Sequence, residues 1–249
     1  MPDHDDARPA SSPALRLFLA RLLSRSRLDG SAQKAILDLP GTLTKVRRNE
    51  NCVEIGTRSS HACLVTEGVA ARWGQTLDGQ RQITALHLPG DMPDLQALVL
   101  SGATLGLQAL SPVVILRVPH AALRKIAATP QIAESFWRDC AADAAIASEW
   151  VINLGRRKAR TRIAHLICEV AMRLGKGEDD AFVFDLPITQ NHIADATGLS
   201  TVHVNRSLQD LKKAALAELA GHEVRVMDWP SLRAAADFHP AYLHLGDNS

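Results

Sequence analysis

The segment from residue 186 to residue 211 constrains the fold most, because it predicts two short helices joined by a tight turn. Thr189 is suited to cap the first helix, which would span about two turns. Gly198 can adopt the positive φ of a tight helix exit, and Ser200 can cap the second helix. The apolar residues of the first helix fall on one face: Ile193, Ala194 and Ala196. This order predicts a helix-turn-helix.

The second predicted helix has an apolar face and a polar face. Val204, Leu208 and Leu211 recur at spacings of four and three, so we expect them to face the core. The polar side chains then point outward from the first two turns, where a helix in the major groove of DNA meets base edges. The candidates for base contact are Ser200, Thr201, His203 and Arg206. Arg206 fits best, as a bidentate partner of guanine. The alternative is a helical hairpin within a larger bundle.

Two further features favour DNA as the partner. Residues 217–227 predict a strand, a Gly-His turn and a second strand, which would form a wing after the second helix. Six Lys or Arg residues lie between 155 and 175 with a single acidic residue, whereas 82–116 contains no Lys or Arg. The candidates for phosphate contact are Arg156, Arg157, Thr189, Gln190 and Lys212. Part of the basic run can equally be a solvated helix face or an interdomain hinge.

The region before residue 119 consists of short β-rich segments separated by turn pairs such as Asp78-Gly79 and Pro89-Gly90. The predicted strands are 63–66, 69–75, 82–88, 105–110 and 113–118. Helices are expected before them at 15–28 and 31–39, and a single helical turn at 94–100. These segments predict a compact antiparallel roll or barrel.

A long helix with few breakers is predicted over residues 131–154, and Gly155 is expected to interrupt it before a further helix at 161–174. Residues taken at alternating spacings of three and four along this helix form a heptad seam, in which every side chain except that of Asp143 is apolar. The seam residues are Ala133, Phe136, Cys140, Ala147, Trp150 and Leu154. Such a seam favours a parallel dimer. The alternative is an ordinary helix packed on its own roll.

The length of 249 residues suits two domains. We expect a disordered tail at 1–13, a β-roll domain with its N-terminal helices at 14–130, a dimerisation helix at 131–155 and a DNA-binding domain with a C-terminal tail at 156–249. Cys52, Cys63, Cys140 and Cys168 are far apart, so we expect reduced thiols and no zinc site. No apolar run is long enough for a bilayer, which predicts a cytoplasmic protein without membrane contact.

Four stretches resemble the Crp/Fnr superfamily of bacterial transcription regulators: TEGVAARW at 66–73, LPGD at 88–91, RRKARTRIAHLI at 156–167 and GLSTVHVNRSL at 198–208. The resemblance implies an α+β chain with an N-terminal β-roll like the jelly roll of cyclic-nucleotide-binding domains, a long dimerisation helix and a C-terminal winged helix-turn-helix. It also implies a homodimer on double-stranded DNA with a palindromic operator, its recognition helices roughly 34 Å apart, and contact with RNA polymerase if the protein is an activator. The family pattern places Glu and Thr before the Arg, whereas this chain has Val202 and His203.

The sensory region departs from the family patterns. Members that bind cyclic nucleotides use a Gly-Glu pair and an Arg-Ser pair to hold the ribose and the cyclic phosphate. Residues 90–109 contain no Lys or Arg, so the negative charge of a phosphate beside Asp91 and Asp94 would have no positive partner. Cyclic AMP is therefore not expected as the effector. No cysteine precedes Cys52, which excludes the N-terminal iron-sulfur cluster, and Gln96 replaces the haem ligand of related sensors. We predict no cofactor, an unidentified apolar or neutral effector if there is one, and an effector pocket near Asp91, Asp94 and Gln96.

Two other function classes fit the sequence less well. A cupin-type enzyme needs an HxH motif, but none occurs between residues 42 and 119, and the chain has no GxSxG, P-loop or GxGxxG motif. The chain is therefore not expected to be an enzyme. A protein-interaction module would use the wing and the second helix to contact a partner protein, but the basic segment and Arg206 favour DNA.

Overall fold

The computed structural model describes residues 12–100 and 102–246. It begins with two helices, α1 (Ser12–Leu23) and α2 (Gly30–Leu37). Asp29 caps α2 by accepting a hydrogen bond from the Ala32 backbone at 2.8 Å. The tail expected at 1–13 lies outside the described residues except for its last two, which begin α1.

Seven strands form the β-roll: β1 (Thr42–Val46), β2 (Asn51–Val53), β3 (His61–Glu67), β4 (Ala70–Gln75), β5 (Arg81–His87), β6 (Gly106–Ala109) and β7 (Val113–Pro119). One sheet has the order β1-β7-β3 and the other β2-β6-β4-β5, with antiparallel pairing throughout. A 3-10 turn at Leu95–Leu98 confirms the predicted helical turn. The five predicted strands are present, but β1 and β2 were missed, because β1 is mostly exposed and β2 has only three residues.

The roll is followed by a short helix, α3 (His120–Ile126), and a helix of 27 residues, α4 (Pro130–Arg156). The expected break at Gly155 is wrong, since α4 continues through it to Arg156. A single glycine costs a helix only about 1 kcal/mol, which the packing of a helix of 27 residues can offset. Pro130 at the first helical position suits the start of α4.

The C-terminal domain contains α5 (Ala159–Arg173), β8 (Phe182–Asp185), α6 (Gln190–Thr197), α7 (Thr201–Lys213), β9 (Ala217–Ala220), β10 (Glu223–Val226) and α8 (Trp229–Ala235). The hairpin of β9 and β10 confirms the predicted wing, and β8, which was not predicted, completes a sheet of order β8-β10-β9. Helices α5, α6 and α7 share one core with this sheet. Architecture and element order therefore confirm the predicted fold class.

The two domains contact each other through a continuous core and through the end of the chain. Val69 and Leu86 of the roll belong to the same buried cluster as the residues of α5. A 3-10 turn at Pro240–Leu243 lies against the segment that follows α1, where the Arg25 guanidinium donates to the Leu243 carbonyl at 3.0 and 3.2 Å. Among the described helices, none is both long and apolar enough to cross a membrane.

Candidate DNA interface and effector cavity

The start of the helix-turn-helix is fixed by reciprocal hydrogen bonds between Thr189 and His192. The Thr189 hydroxyl accepts from the His192 backbone at 3.2 Å, and His192 Nδ1 accepts from the Thr189 backbone at 3.3 Å. Burial, with Arg81 and Arg48 nearby, lowers the pKa of His192 to about 4. The ring is therefore neutral at pH 7 and can act as an acceptor at Nδ1.

The turn between the helices has the predicted geometry. Gly198 has a φ of 62° and lies in the left-handed region, where a residue with a Cβ is strained. Arg162 of α5 holds this turn by donating to the Thr197 carbonyl at 3.0 Å. Ser200 caps α7 through its hydroxyl, which accepts from the His203 backbone at 3.4 Å and lies 2.9 Å from His203 Nδ1. The Ser200 hydroxyl is thus already used within the protein.

Helix α7 presents a polar face to solvent and an apolar face to the core. Val204, Leu208 and Leu211 are buried as predicted. The exposed residues are Thr201, Val202, His203, Asn205, Arg206 and Gln209. Within the described part of the chain, the Arg206 side chain has neither an ion pair nor a hydrogen bond. A guanidinium that the fold leaves free and exposed is available for an external acceptor.

The candidates for phosphate contact differ in availability. Arg156 is exposed at the end of α4, and Gln190 is exposed at the start of α6. Arg157 is only 10% exposed and forms ion pairs with Glu149 at 2.7 Å and with Asp237 at 3.2 Å. The expectation for Arg157 is thus corrected, because its side chain ties α4 to the C-terminal region. Lys212 pairs with Glu218 of β9 while remaining half exposed.

The heptad seam also needs correction, because two of its members face their own protomer. Phe136 is 4% exposed and packs against Phe18 of α1, with ring centroids 5.9 Å apart. Trp150 is 5% exposed, and its Nε1 donates to the buried carboxylate of Glu169 at 2.9 Å. Both side chains are therefore unavailable to a second helix.

A different face of α4 is open. Trp137 is 71% exposed and Val151 is 70% exposed, two heptads apart. Counting from Trp137 in alternating steps of four and three residues reaches Val151 and four further positions. These four residues are also exposed: Ala141, Ala144, Ser148 and Gly155. We call the set from Trp137 to Gly155 the α4 stripe. It has the spacing of a coiled-coil seam and small residues at its centre.

Asp91 lies in a buried ionic network between the domains rather than in a ligand pocket. Its carboxylate pairs with Arg21 of α1 and with Arg173 of α5, and it also accepts from the Leu88 backbone at 2.9 Å. Burial alone would raise the pKa of Asp91, but Arg21 and Arg173 outweigh it and hold the pKa far below its ordinary value. The expectation that Asp91 lines the effector pocket is therefore corrected.

A cavity of the roll with a volume of about 450 Å³ lies between the 3-10 turn, β4 and α3. Asp94 and Gln96, two of the three residues expected at an effector pocket, line this cavity. The cavity is not free of cations, however, because other elements supply them: Arg58, Arg72 and Arg124. Arg72 Nη2, Asp94 Oδ2 and His120 Nε2 are buried and have no hydrogen-bond partner among the described residues. Such unsatisfied polar atoms around a cavity suit a polar ligand.

Comparison with known proteins agrees with this architecture. Residues 161–235 match the family of Crp-like helix-turn-helix domains, and residues 43–129 match the cyclic nucleotide-binding domain. The chain is 25% identical over 192 residues to the transcriptional activator protein FnrA of Stutzerimonas stutzeri, covering 77% of this chain and 79% of that protein. It is 28% identical over 186 residues to the transcriptional activator protein FnrL of Cereibacter sphaeroides, covering 71% of this chain and 73% of that protein.

The solved structure of FixK2 from Bradyrhizobium japonicum superposes with a TM-score of 0.72 and 25% identity, covering 79% of this chain and 98% of that one. Three findings point to the same family: the two matched domains, the β-roll joined by a long helix to a winged helix-turn-helix, and the transcription regulators among the relatives. The chain belongs to the Crp/Fnr superfamily and is a DNA-binding transcription regulator of that type.

Proposed function

We propose that this regulator acts as a homodimer that reads a two-fold symmetric operator, without control by cyclic AMP. The observation that carries the proposal is the exposed face of α7, where Arg206 has no acceptor from the described residues while the opposite face is buried. Phosphate contacts from Arg156, Gln190 and Lys212 would orient α7, and its base contacts would select the sequence. Two copies of α7 would meet adjacent major grooves about one DNA turn apart.

The dimer would form through the α4 stripe. Trp137 and Val151 are large apolar side chains that an isolated protomer leaves in water, and burying them against a symmetric copy removes that exposure. Ala141, Ala144 and Ser148 between them are small enough for two helices to approach closely.

A charged residue in the stripe tests this interface. Trp137→Asp should produce monomers, because a seam cannot desolvate an unpaired carboxylate. Arg138→Ala, on the same helix but outside the stripe, should remain dimeric. Light scattering at several concentrations distinguishes the two states. A dimer that survives both Trp137→Asp and Val151→Asp would place the interface elsewhere.

Selection of bound duplexes from a random DNA library, with purified protein and no added ligand, tests sequence-specific binding. We expect an enriched inverted repeat. Arg206→Ala should lose about 1 to 3 kcal/mol of discrimination at one guanine of each half-site, since a bidentate contact contributes that much. Salt-sensitive binding without any enriched sequence would count against the proposal.

The β-roll cavity supports an acidic effector better than the apolar or neutral one expected from the sequence, because Arg58, Arg72 and Arg124 line it. Cyclic AMP is still not expected as the ligand, because residues 90–109 lack the Gly-Glu and Arg-Ser pairs by which cyclic-nucleotide-binding members hold the ribose and the phosphate. Addition of cyclic AMP should leave operator affinity unchanged in a binding titration. A tenfold or greater gain in affinity would overturn this part of the proposal.

A further inference from the structure

Val202 is an exposed apolar residue on the face of α7 that we assign to DNA. Its side chain is 68% exposed, and it lies in the first turn of the helix. Val202, Asn205, Arg206 and Gln209 follow the spacing of one helical face, and all four are exposed. Val202 is the apolar member of this otherwise polar stripe.

The fold of the protomer does not explain this valine. The buried face of α7 is formed by Val204, Ser207, Leu208 and Leu211, on the opposite side of the helix. A β-branched residue also has a lower helix propensity than the straight-chain polar residues usually found on exposed helix surfaces. Its two methyl groups can therefore become buried only against something outside the described protomer.

We propose that Val202 packs against the C5-methyl group of a thymine and thereby selects thymine at one position of each operator half-site. In the major groove, thymine is the base that presents a methyl group, at C5; cytosine carries only a hydrogen at C5 and presents an amino donor at C4, where thymine has its O4 acceptor. Valine has no acceptor for that donor, so cytosine there would be dehydrated without a partner. This inference rests on the proposed function and adds a determinant of its sequence specificity.

The helix geometry also places the thymine relative to the guanine read by Arg206. Side chains at positions i and i+4 lie about 5 to 6 Å apart along one face, and successive base pairs are spaced about 3.4 Å apart. The selected thymine should therefore lie one or two base pairs from the guanine that Arg206 contacts.

Uracil tests the contact directly, because it forms the same hydrogen bonds as thymine but lacks the methyl group. Duplexes carrying the selected operator are made with a single thymine-to-uracil replacement at each thymine in turn, and their affinities are measured by titration. For the unmodified protein, each half-site should contain one thymine whose replacement weakens binding about fourfold, which is the effect of losing one buried methyl group. Replacements at the other thymines should have no effect.

Two variants complete the test, and a third probes the reverse preference; each is checked by thermal unfolding for a native fold. Val202→Ala removes the two γ-methyl groups that would reach the base, so it should bind the thymine and uracil duplexes equally. Gln209→Ala, from the same face, should retain the fourfold difference. Val202→Glu should shift selection at this position from thymine toward cytosine, whose amino group a carboxylate can accept.

The outcomes separate this inference from the proposed function. An enriched operator with no sensitivity to uracil, or a uracil effect that persists unchanged in Val202→Ala, overturns the role of Val202 and leaves the regulator intact. Failure to enrich any operator overturns the sequence-specific regulator and the thymine contact together. A uracil effect that disappears in Val202→Ala and persists in Gln209→Ala supports the contact.

Discussion

Replacing Asp91 by asparagine should destabilise the protein strongly, because this carboxylate neutralises two buried guanidinium groups from different parts of the chain. Asp91 is 4% exposed, and its partners Arg21 and Arg173 are 9% and 6% exposed at their side chains. The amide oxygen of the asparagine could still accept the hydrogen bond from the Leu88 backbone, so the variant chiefly removes charge. It therefore isolates the electrostatic contribution of the network.

The magnitude follows from the burial of all three groups. Breaking a buried ion pair by removing one partner costs about 3 to 5 kcal/mol, because the remaining charge is left without compensation. Arg21 retains Asp139 and Asp143, each at 2.7 Å, whereas Arg173 retains Glu169 at the longer distance of 3.5 Å. We expect a loss near the lower end, about 3 kcal/mol. For a chain of this size, Tm falls by about 2 to 4 °C per kcal/mol.

The assay is denaturant unfolding of Asp91→Asn beside Asp38→Asn, which makes the same change in an exposed ion pair. Asp38 and Lys34 are 60% and 75% exposed, so that control should change stability little. A cost below about 1 kcal/mol for Asp91→Asn, against the buried-pair range, would refute the reasoning.

The pH dependence provides a second check on Asp91. Its folded pKa is held below the unfolded value, which is about 3.9. A depressed carboxyl pKa contributes stability that is present above the unfolded pKa and is lost as the pH falls below it. The difference in the free energy of unfolding between the native protein and Asp91→Asn should therefore be constant from about pH 5 to 7 and shrink below about pH 4. A difference that stays constant down to about pH 3 would contradict the assignment.

Three other predictions concern the site geometry. Arg156→Ala should lower the slope of log affinity against log salt by about 0.9 if it contacts one phosphate, whereas Arg157→Ala should leave the slope unchanged and reduce thermal stability. Gly198→Ala should cost about 1 to 2 kcal/mol in denaturant unfolding, since its φ of 62° is strained for a residue with a Cβ. Trp150→Phe should cost about 1 to 3 kcal/mol, because the buried Glu169 carboxylate loses a hydrogen-bond donor; an unchanged midpoint would indicate that water replaces the indole.

Elements defined by local signals were predicted well from the sequence. Thr189, Gly198 and Ser200 mark the helix-turn-helix because a cap or a left-handed residue depends on a few neighbouring atoms. The same holds for the wing and for the strands bounded by turn pairs. Strands such as β2 and β8, with three and four residues, are too short to carry a period of their own and form by pairing with distant strands.

The sequence alone was enough to infer the order of the domains, the second helix of the helix-turn-helix and the side of that helix that faces away from the core. The exposed face of α4 could not be inferred in this way, because packing in three dimensions buries Phe136 and Trp150 and leaves the α4 stripe open. Packing also assigned Arg157 and Asp91 to internal ion pairs and brought three arginines to the cavity. The reason is physical: capping and periodicity are encoded within a few residues, whereas burial and charge pairing depend on partners that are distant along the chain.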